Sequence, residues 1–214
     1  MKPPAVIVGV GTGLSASLAR ALAPDYALTL AARDAGKLQA LAEETGARAV
    51  SLDATDPDAV TALFAGLSAP PRVVVYNPSA RVRGPIADLD PEEVRRAVEV
   101  TAYGAFLTGQ AAARAMQAAE PLDGVRGTIL FTGASAGVKG FPNSAPFAMG
   151  KFAQRGLAES MARELHPRGI HVAWVNIDGA IRNPGRTEPE DAPDSMLDPD
   201  AIARAYLQLI AQDR

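Results

Sequence analysis

Short apolar runs alternate with longer amphipathic segments along most of the chain. Six of these runs are rich in Val, Ile, Leu and Ala, and their length and composition predict buried strands. The valines of the fourth run suit burial on both faces of a sheet. The predicted strands cover residues 5–8, 27–32, 47–52, 72–76, 127–132 and 170–177.

The segments between these runs have the apolar spacing and the end signals of helices. Leu14 and Leu18 fall on one helical face, and three Asp-Pro pairs match an aspartate cap followed by proline at the first helical position. Asp90, with Glu93 three positions later, resembles a capping box. The predicted helices cover residues 14–23, 34–46 (capped by Asp34), 56–67, 90–119, 146–165 and 198–210.

The alternation of strand and helix predicts an α/β fold. Connections long enough for right-handed crossovers favour a single Rossmann-type, doubly wound parallel sheet with helices on both faces. We expect one domain over residues 1–214, with a flexible, polar and proline-rich loop at residues 183–198. Ligands of such sheets bind beyond the carboxyl ends of the strands, where the strand order reverses.

Composition narrows the classes of function. The 214 residues are 48% hydrophobic, which is enough for one well-buried domain. No apolar run approaches the length of a membrane span, and the chain starts directly with a strand rather than a signal peptide. We therefore expect no membrane partner and a cytoplasmic location. A net charge of −3 without a long basic run argues against nucleic acid, and two histidines with no cysteine predict no metal site and no disulfide.

The turn after the first strand is the strongest candidate for a binding site. Gly9, Gly11 and Gly13 lie at alternate positions between the strand and the helix. Such a turn directs unpaired backbone N–H groups and a helix dipole at one point, which suits a phosphate. Glycine turns of this kind also occur in α/β proteins that bind nothing, so the turn alone leaves dinucleotide binding open.

Several further motifs, in the right order over residues 5–183, resemble the short-chain dehydrogenase/reductase family of NAD(P)-dependent Rossmann enzymes. The glycine turn resembles the family's TGxxxGxG motif, with Ser15 at the third glycine, where we expect slight crowding. The resemblance implies that Gly9, Gly11, Thr12, Gly13 and Leu14 contact the cofactor.

The resemblance also implies which cofactor is bound. Arg33 directly follows the second strand, where an acidic residue would hold the ribose 2′-hydroxyl of NAD and an arginine accommodates the 2′-phosphate of NADP. The resemblance therefore implies that the protein binds NADP(H). The alternative is that Arg33 is a solvated surface arginine. Further cofactor contacts are implied at Asp53, Ala54, Asn77, Pro78, Gly179 and Ile181.

The catalytic positions differ from the family's pattern. Phe147 and Lys151 correspond to the family's Tyr-x-x-x-Lys, so phenylalanine replaces the tyrosine that acts as the proton donor. Ser135 lies one place after the family's serine, and Thr101 corresponds to its helical asparagine. The resemblance therefore implies a divergent member in which Lys151 keeps its role of binding the nicotinamide ribose but has no tyrosine to activate.

Asp178 is the candidate to replace the missing acid. It lies in the turn after the sixth strand, and a carboxyl group shielded by the cofactor could have a raised pKa. The alternative is a hydrogen-bonded turn aspartate; Ser135, Ser144 and Tyr103 are weaker candidates.

Two functions follow from the resemblance. The first is an NADP(H)-binding oxidoreductase that acts on an unidentified small alcohol or carbonyl substrate. The second is a catalytically inactive NADP(H)-binding sensor or regulatory protein. In the family, the helices that correspond to residues 90–119 and 146–165 form a dimer interface, so the resemblance also implies a homodimer.

Overall fold

A single parallel sheet forms the centre of the molecule. The computed structural model describes residues 2–212, so Met1, Asp213 and Arg214 of the predicted domain lie outside the described residues. Within that range the sheet has six strands in the order β3-β2-β1-β4-β5-β6. The strands are β1 (Pro4–Val8), β2 (Ala27–Ala32), β3 (Arg48–Ser51), β4 (Val73–Tyr76), β5 (Gly127–Thr132) and β6 (Ile170–Val175).

Helices connect successive strands and cover the sheet. A 3-10 turn at Ala35–Leu38 precedes the second helix, and a π-helical turn at Glu99–Tyr103 joins the fourth helix to the fifth. The helices are α1 (Leu14–Leu22), α2 (Gln39–Thr45), α3 (Pro57–Ala65), α4 (Pro91–Val98), α5 (Gly104–Gln117), α6 (Ala145–Leu165) and α7 (Pro199–Ile210).

Two apolar cores lie on opposite faces of the sheet. Helices α3, α5 and α6 pack their apolar residues on one face, around Phe131 and Met116. Helices α1 and α7 pack on the other face, around Leu18, Leu30 and Tyr206. Because alternate residues of each strand point to opposite faces, the same buried strands supply both cores. The doubly wound parallel sheet is thus confirmed.

The predicted helix over residues 90–119 is not a continuous α-helix. The π-helical turn interrupts it, and the hydroxyl of buried Tyr76 donates to the carbonyl of Val100 at 2.5 Å inside that turn. A π turn interrupts the regular hydrogen bonds of an α-helix. The Tyr76 hydroxyl gives the Val100 carbonyl within this turn a hydrogen-bond donor. Sequence periodicity does not report such a contact between distant residues.

Several element ends shift by one or two residues from the prediction, and two local features differ from it. Strand β6 ends at Val175 rather than at residue 177, although the backbone N–H of Ser135 still donates to the carbonyl of Ile177 beyond the strand. At the start of α4, Asp90 accepts from the N–H of Glu92, and no reciprocal bond from Glu93 is present among the described residues. The predicted capping box is therefore an aspartate cap alone.

The strand order reverses between β1 and β4, which both continue into loops at their carboxyl ends. Strand β1 pairs with β2 on one side and with β4 on the other, and the crevice above this junction is where sheets of this topology bind ligands. Among residues 2–212, no helix has the length and apolar character needed to cross a membrane.

Candidate cofactor and substrate clefts

The glycine turn after β1 has a conformation that requires glycine at its first position. Gly9 has φ +81°, and a Cβ there would lie 2.5 Å from Pro78 Cγ. Gly11 is open, since a Cβ added there would have no atom within 4 Å, and Gly13 precedes α1. Gly9 therefore lets two loops approach closely, whereas Gly11 leaves space above the turn for a ligand.

The amino terminus of α1 has no side-chain cap. Aspartates cap α3, α4 and α7, whereas α2, α5 and α6 share the absence of a side-chain cap. The first N–H groups of a helix have no partner within it, and those of α1 face the crevice with the positive end of the helix dipole. The turn and the helix start can therefore hold an anionic group such as a phosphate.

Ser15, where the sequence predicts slight crowding, is held by two hydrogen bonds, and the crowding itself stays a prediction. It is buried, its hydroxyl donates to the carbonyl of Gly9 at 3.1 Å, and it accepts from Asn77 Nδ2 at 2.6 Å. Asn77 Nδ2 also lies 3.2 Å from the Gly9 carbonyl oxygen. The serine and the asparagine thus tie the glycine turn to the end of β4.

The crevice contains two clefts that meet at Gly9, Gly11 and Asn77. The first, which we call the Arg33 cleft, has a volume of about 1160 Å³. The residues that line it include Thr12, Arg33, Asp53, Ala54 and Pro78. The second, the Lys151 cleft, has a volume of about 1030 Å³, and its lining includes Gly13, Leu14, Ser135, Phe147, Lys151, Asp178, Gly179 and Ile181.

In the Arg33 cleft, the carboxylate of Asp53 is held by its own loop. It accepts from the backbone N–H of Thr55 at 2.9 Å and from the Thr55 hydroxyl at 2.7 Å. These bonds, and then the positive charge of Arg33, lower the pKa of Asp53. Arg33 itself is exposed at the end of β2, and the carboxylate of neighbouring Asp34 caps the next turn through the N–H of Gly36.

Lys151 lies at the floor of the other cleft and is only 2% exposed. Its Nζ donates to the carbonyl of Thr132 at 2.5 Å and to Gln154 Oε1 at 3.2 Å. Burial, and secondarily the charge of Arg81, lower the pKa of Lys151 to about 7. The amine is therefore partly neutral near pH 7. In its protonated form it has three hydrogens, so one beyond the two used by these partners is available for a ligand.

Gln154 connects Lys151 to the π-helical turn. Its Oε1 also accepts from Trp174 Nε1 at 3.2 Å, and its Nε2 donates to the carbonyl of Thr101 at 3.2 Å. Thr101 is fully buried, and its hydroxyl accepts from the N–H of Ala80. Thr101 thus supports the loop and helix beside Lys151; its side chain does not line either cleft.

Phe147 forms part of the wall of the Lys151 cleft. Its ring is 5% exposed and packs with Ala134 and Ala136. The guanidinium of Arg81 lies over this ring, with Cζ 4.1 Å from the ring centroid, and Lys151 Nζ is 6.0 Å from the same centroid. The ring offers no exchangeable proton, and two cationic side chains lie near it.

Ser135 and Asp178 lie along the same cleft, on the loops after β5 and β6. Ser135 is partly exposed and Asp178 is exposed, so the protein itself does not shield the aspartate from water. In the described part of the chain, no group of three His, Asp or Glu side chains could hold a metal ion.

The loop predicted to be flexible, residues 183–198, is tied at its ends. Ile181 and Leu197 form an isolated bridge, and Arg182 pairs with Asp194 at 2.5 Å and with Glu188 at 3.4 Å. The loop has no regular helix or strand, and its flexibility stays a prediction.

Several residues in and behind these clefts carry no motif in the sequence. Gln154 lies inside a helix and has no motif of its own, so only the fold reveals its three partners. Arg81, Arg83 and Arg186 lie in segments without helix or strand and line the Lys151 cleft, and the concentration of arginine in those segments was the available signal.

Comparisons with known proteins agree with this architecture. A family model described as short chain dehydrogenase matches residues 4–188. A trans-4-hydroxycyclohexanecarboxylate dehydrogenase from Sinomonas cyclohexanicum is 34% identical over 201 residues, which are 84% of this chain and 73% of that protein.

Solved structures match over nearly the whole chain. A short-chain dehydrogenase from Rhodopseudomonas palustris is 34% identical, with a TM-score of 0.82 over 99% of this chain and 92% of the other. A metagenomic short-chain oxidoreductase in complex with NADP is 25% identical, with a TM-score of 0.81 over 99% and 91%. Because the family model covers most of its length, the chain belongs to the short-chain dehydrogenase family.

Proposed function

We propose that the protein binds NADP(H) across the two clefts and is an oxidoreductase of a small alcohol or carbonyl substrate with an atypical active site. The observation that carries this proposal is the start of α1, which has no side-chain cap and follows the open position Gly11. Gly11 lines both clefts, one of which contains Arg33 and the other Lys151. The domain proposed to carry this function spans residues 1–214.

The residues present fit the cofactor. The cradle at Gly11, Thr12, Gly13 and Leu14 would hold the pyrophosphate, since a Cβ at Gly11 would meet open space. Arg33 would pair with the 2′-phosphate, a contact that favours NADP over NAD. Contacts with the adenine and the nicotinamide are assigned to Asp53, Ala54, Asn77, Pro78, Gly179 and Ile181, which line the clefts.

Lys151 would bind the nicotinamide ribose through the hydrogen that its two internal partners leave available. When bound, NADP(H) supplies or accepts the hydride. We assign Phe147 to the position of the family's catalytic tyrosine, Thr101 to that of its asparagine, and Ser135 to the substrate side of the cleft. Asp178 is the carboxylate that lines this cleft in the described part of the chain.

The first test is calorimetric titration of the purified protein with NADP⁺ and with NAD⁺. A charge-assisted contact of the 2′-phosphate contributes about 1.5 to 3 kcal/mol, so NADP⁺ should bind roughly 10- to 100-fold more tightly. Arg33→Ala should remove this difference and leave NAD⁺ affinity within about twofold. Failure of both nucleotides to bind at millimolar concentration would contradict the proposal.

A second function, a catalytically inactive NADP(H)-binding sensor or regulator, is favoured by one observation. Phe147 and the alanines that pack on it supply no acid, and loss of a positioned general acid costs about 10² to 10⁴ in rate.

Phe147→Tyr separates the two functions. If the protein is an enzyme with a residual active site, the added hydroxyl should raise NADPH-dependent reduction of carbonyl substrates by about 10²-fold or more. Phe147→Leu, which adds no hydroxyl, is the matched control.

Asp178→Asn tests the role of the aspartate as the proton donor. An unchanged rate of cofactor oxidation in this variant rules out that role. If every variant binds NADP(H) tightly and none reduces a carbonyl substrate, the result supports the function as a sensor or regulatory protein.

A further inference from the structure

Unpaired arginines are concentrated in the Lys151 cleft. Arg81, Arg83 and Arg186 line it, and Asp178 is the one carboxylate among its described lining residues. Six other arginines of the described chain form ion pairs with carboxylates within 4.0 Å; they are Arg20, Arg95, Arg96, Arg155, Arg182 and Arg204. No such pair involves the three arginines of the cleft within residues 2–212.

The guanidinium of Arg81 lies over an aromatic ring. Its Cζ lies 4.1 Å from the centroid of the Phe147 ring, a distance typical of a cation stacked on an aromatic face. Stacking uses the face of the planar group and leaves its N–H edge for hydrogen bonds. Among residues 2–212, no hydrogen bond from the Arg81 or Arg83 side chain satisfies these donors.

The three arginines act on one another as well. Partial desolvation, and then the positive charges of Arg83 and Arg186, lower the pKa of Arg81. Like charges brought together without a counter-ion are unfavourable, and an anion bound between them would relieve that repulsion. The loop that contains Arg186 also anchors it, since its Nη1 donates to the carbonyl of Ile181 at 3.1 Å.

We propose that Arg81, stacked on Phe147 and assisted by Arg83, binds an anionic group of the substrate, with a carboxylate as the chemical class. A carboxylate matches the planar guanidinium edge through two parallel hydrogen bonds. The inference rests on the proposed function, because it treats the Lys151 cleft as the substrate side of a cofactor site. The cofactor's own phosphates have separate donors at the glycine turn and the start of α1.

The test compares matched acid and neutral probes on the protein saturated with NADP⁺. Benzoate, benzamide and phenyl phosphate are titrated by calorimetry into the wild type, Arg81→Gln, Arg81→Lys and Arg204→Gln. Arg204 is exposed on α7 and lines neither cleft, so its variant is the control for loss of one positive charge. The affinity for NADP⁺ is measured separately for each variant.

The expected result is that benzoate binds at least about tenfold more tightly than benzamide. Arg81→Gln should abolish this preference, Arg81→Lys should reduce it because the planar edge is lost, and Arg204→Gln should leave it unchanged. NADP⁺ affinity should stay within about twofold in all three variants. Phenyl phosphate binding more tightly than benzoate would overturn the carboxylate assignment.

Three other outcomes would overturn the inference. Equal affinities for benzoate and benzamide would show that the arginines recognise no anion, while NADP⁺ binding leaves the proposed function intact. A loss of NADP⁺ affinity in Arg81→Gln would assign the arginine to a phosphate of the cofactor. Absence of NADP⁺ binding by the wild type would contradict the proposed function, and the substrate assignment with it.

Discussion

The ammonium group of Lys151 is buried, and burial lowers its pKa. Its Nζ has two protein partners, Thr132 O and Gln154 Oε1, neither of which carries a negative charge. Carbonyl oxygens satisfy an ammonium group but compensate its desolvation only in part. The result is an amine whose pKa is about 7 instead of 10.5, close to the pH at which it would bind a ribose.

Lys151 should make the stability of the protein depend on pH. Between about pH 7 and pH 10.5 the unfolded chain binds a proton at this lysine and the folded chain does not. Stability therefore rises with pH over that range, by at most about 1.4 kcal/mol per pH unit from this group. Below pH 7 both states are protonated and the dependence ends.

Urea denaturation of the wild type and Lys151→Met at pH 6, 8 and 9.5 measures this contribution. The wild type should gain stability relative to Lys151→Met as the pH increases, whereas Lys37→Met, at an exposed lysine, should show no pH-dependent difference. Parallel pH profiles for the wild type and Lys151→Met would mean that the lysine keeps its ordinary pKa.

At the scale of elements, the π-helical turn between α4 and α5 depends on a tyrosine of the sheet. The Tyr76 hydroxyl lies against Gly104, where a Cβ would overlap the hydroxyl oxygen. The same segment places Thr101 beside Gly150 of α6, where a Cβ would be 2.7 Å from Thr101 Cβ. The two glycines thus let strand β4, the π turn and α6 meet closely under Lys151.

Tyr76→Phe should destabilise the protein by about 1 to 3 kcal/mol, because the buried carbonyl of Val100 loses its donor. Thermal and urea unfolding measure this change. Tyr103→Phe is the matched control in the same turn, since the Tyr103 side chain is 45% exposed. Equal stabilities of the two variants would show that water replaces the Tyr76 hydroxyl in the π turn.

At the scale of the whole molecule, four large apolar side chains remain exposed on adjacent helices. Tyr103, the last residue of the π turn, stacks with Phe106 of α5, with ring centroids 6.2 Å apart. Met149 and Phe152 lie on α6 at 54% and 46% exposure. Clustered exposed apolar residues are typical of an interaction surface. We propose that this surface is the interface of a homodimer.

Light scattering after size-exclusion chromatography tests the dimer. We expect the mass of two chains for the wild type and of one chain for Phe152→Glu, because a buried unpaired carboxylate is unfavourable in an apolar interface. Leu122→Glu, at another exposed apolar residue, should remain dimeric. A wild type that elutes with the mass of one chain at micromolar concentration would contradict the proposal.

The sequence by itself determined the order of strands and helices, the parallel sheet and the position of the glycine turn. These features depend on signals between residues close in the chain, namely apolar periodicity, Asp-Pro caps and glycine before a helix. The Asp56 cap is an example, since its carboxylate accepts a hydrogen bond from the backbone N–H of Asp58. Local signals of this kind can be read without knowing what packs against them. The strand bounds of β2 and β5 match the prediction at both ends.

The tertiary structure decided what surrounds each candidate residue. It placed the π turn opposite Tyr76, linked Ser15 to Asn77, set Gln154 between Lys151 and Thr101, and stacked Arg81 on Phe147. Each of these contacts joins residues that are distant in sequence or whose side-chain direction is fixed only by packing. Burial and charge at a site depend on such contacts, so the chemistry of the clefts follows from the fold rather than from the motifs.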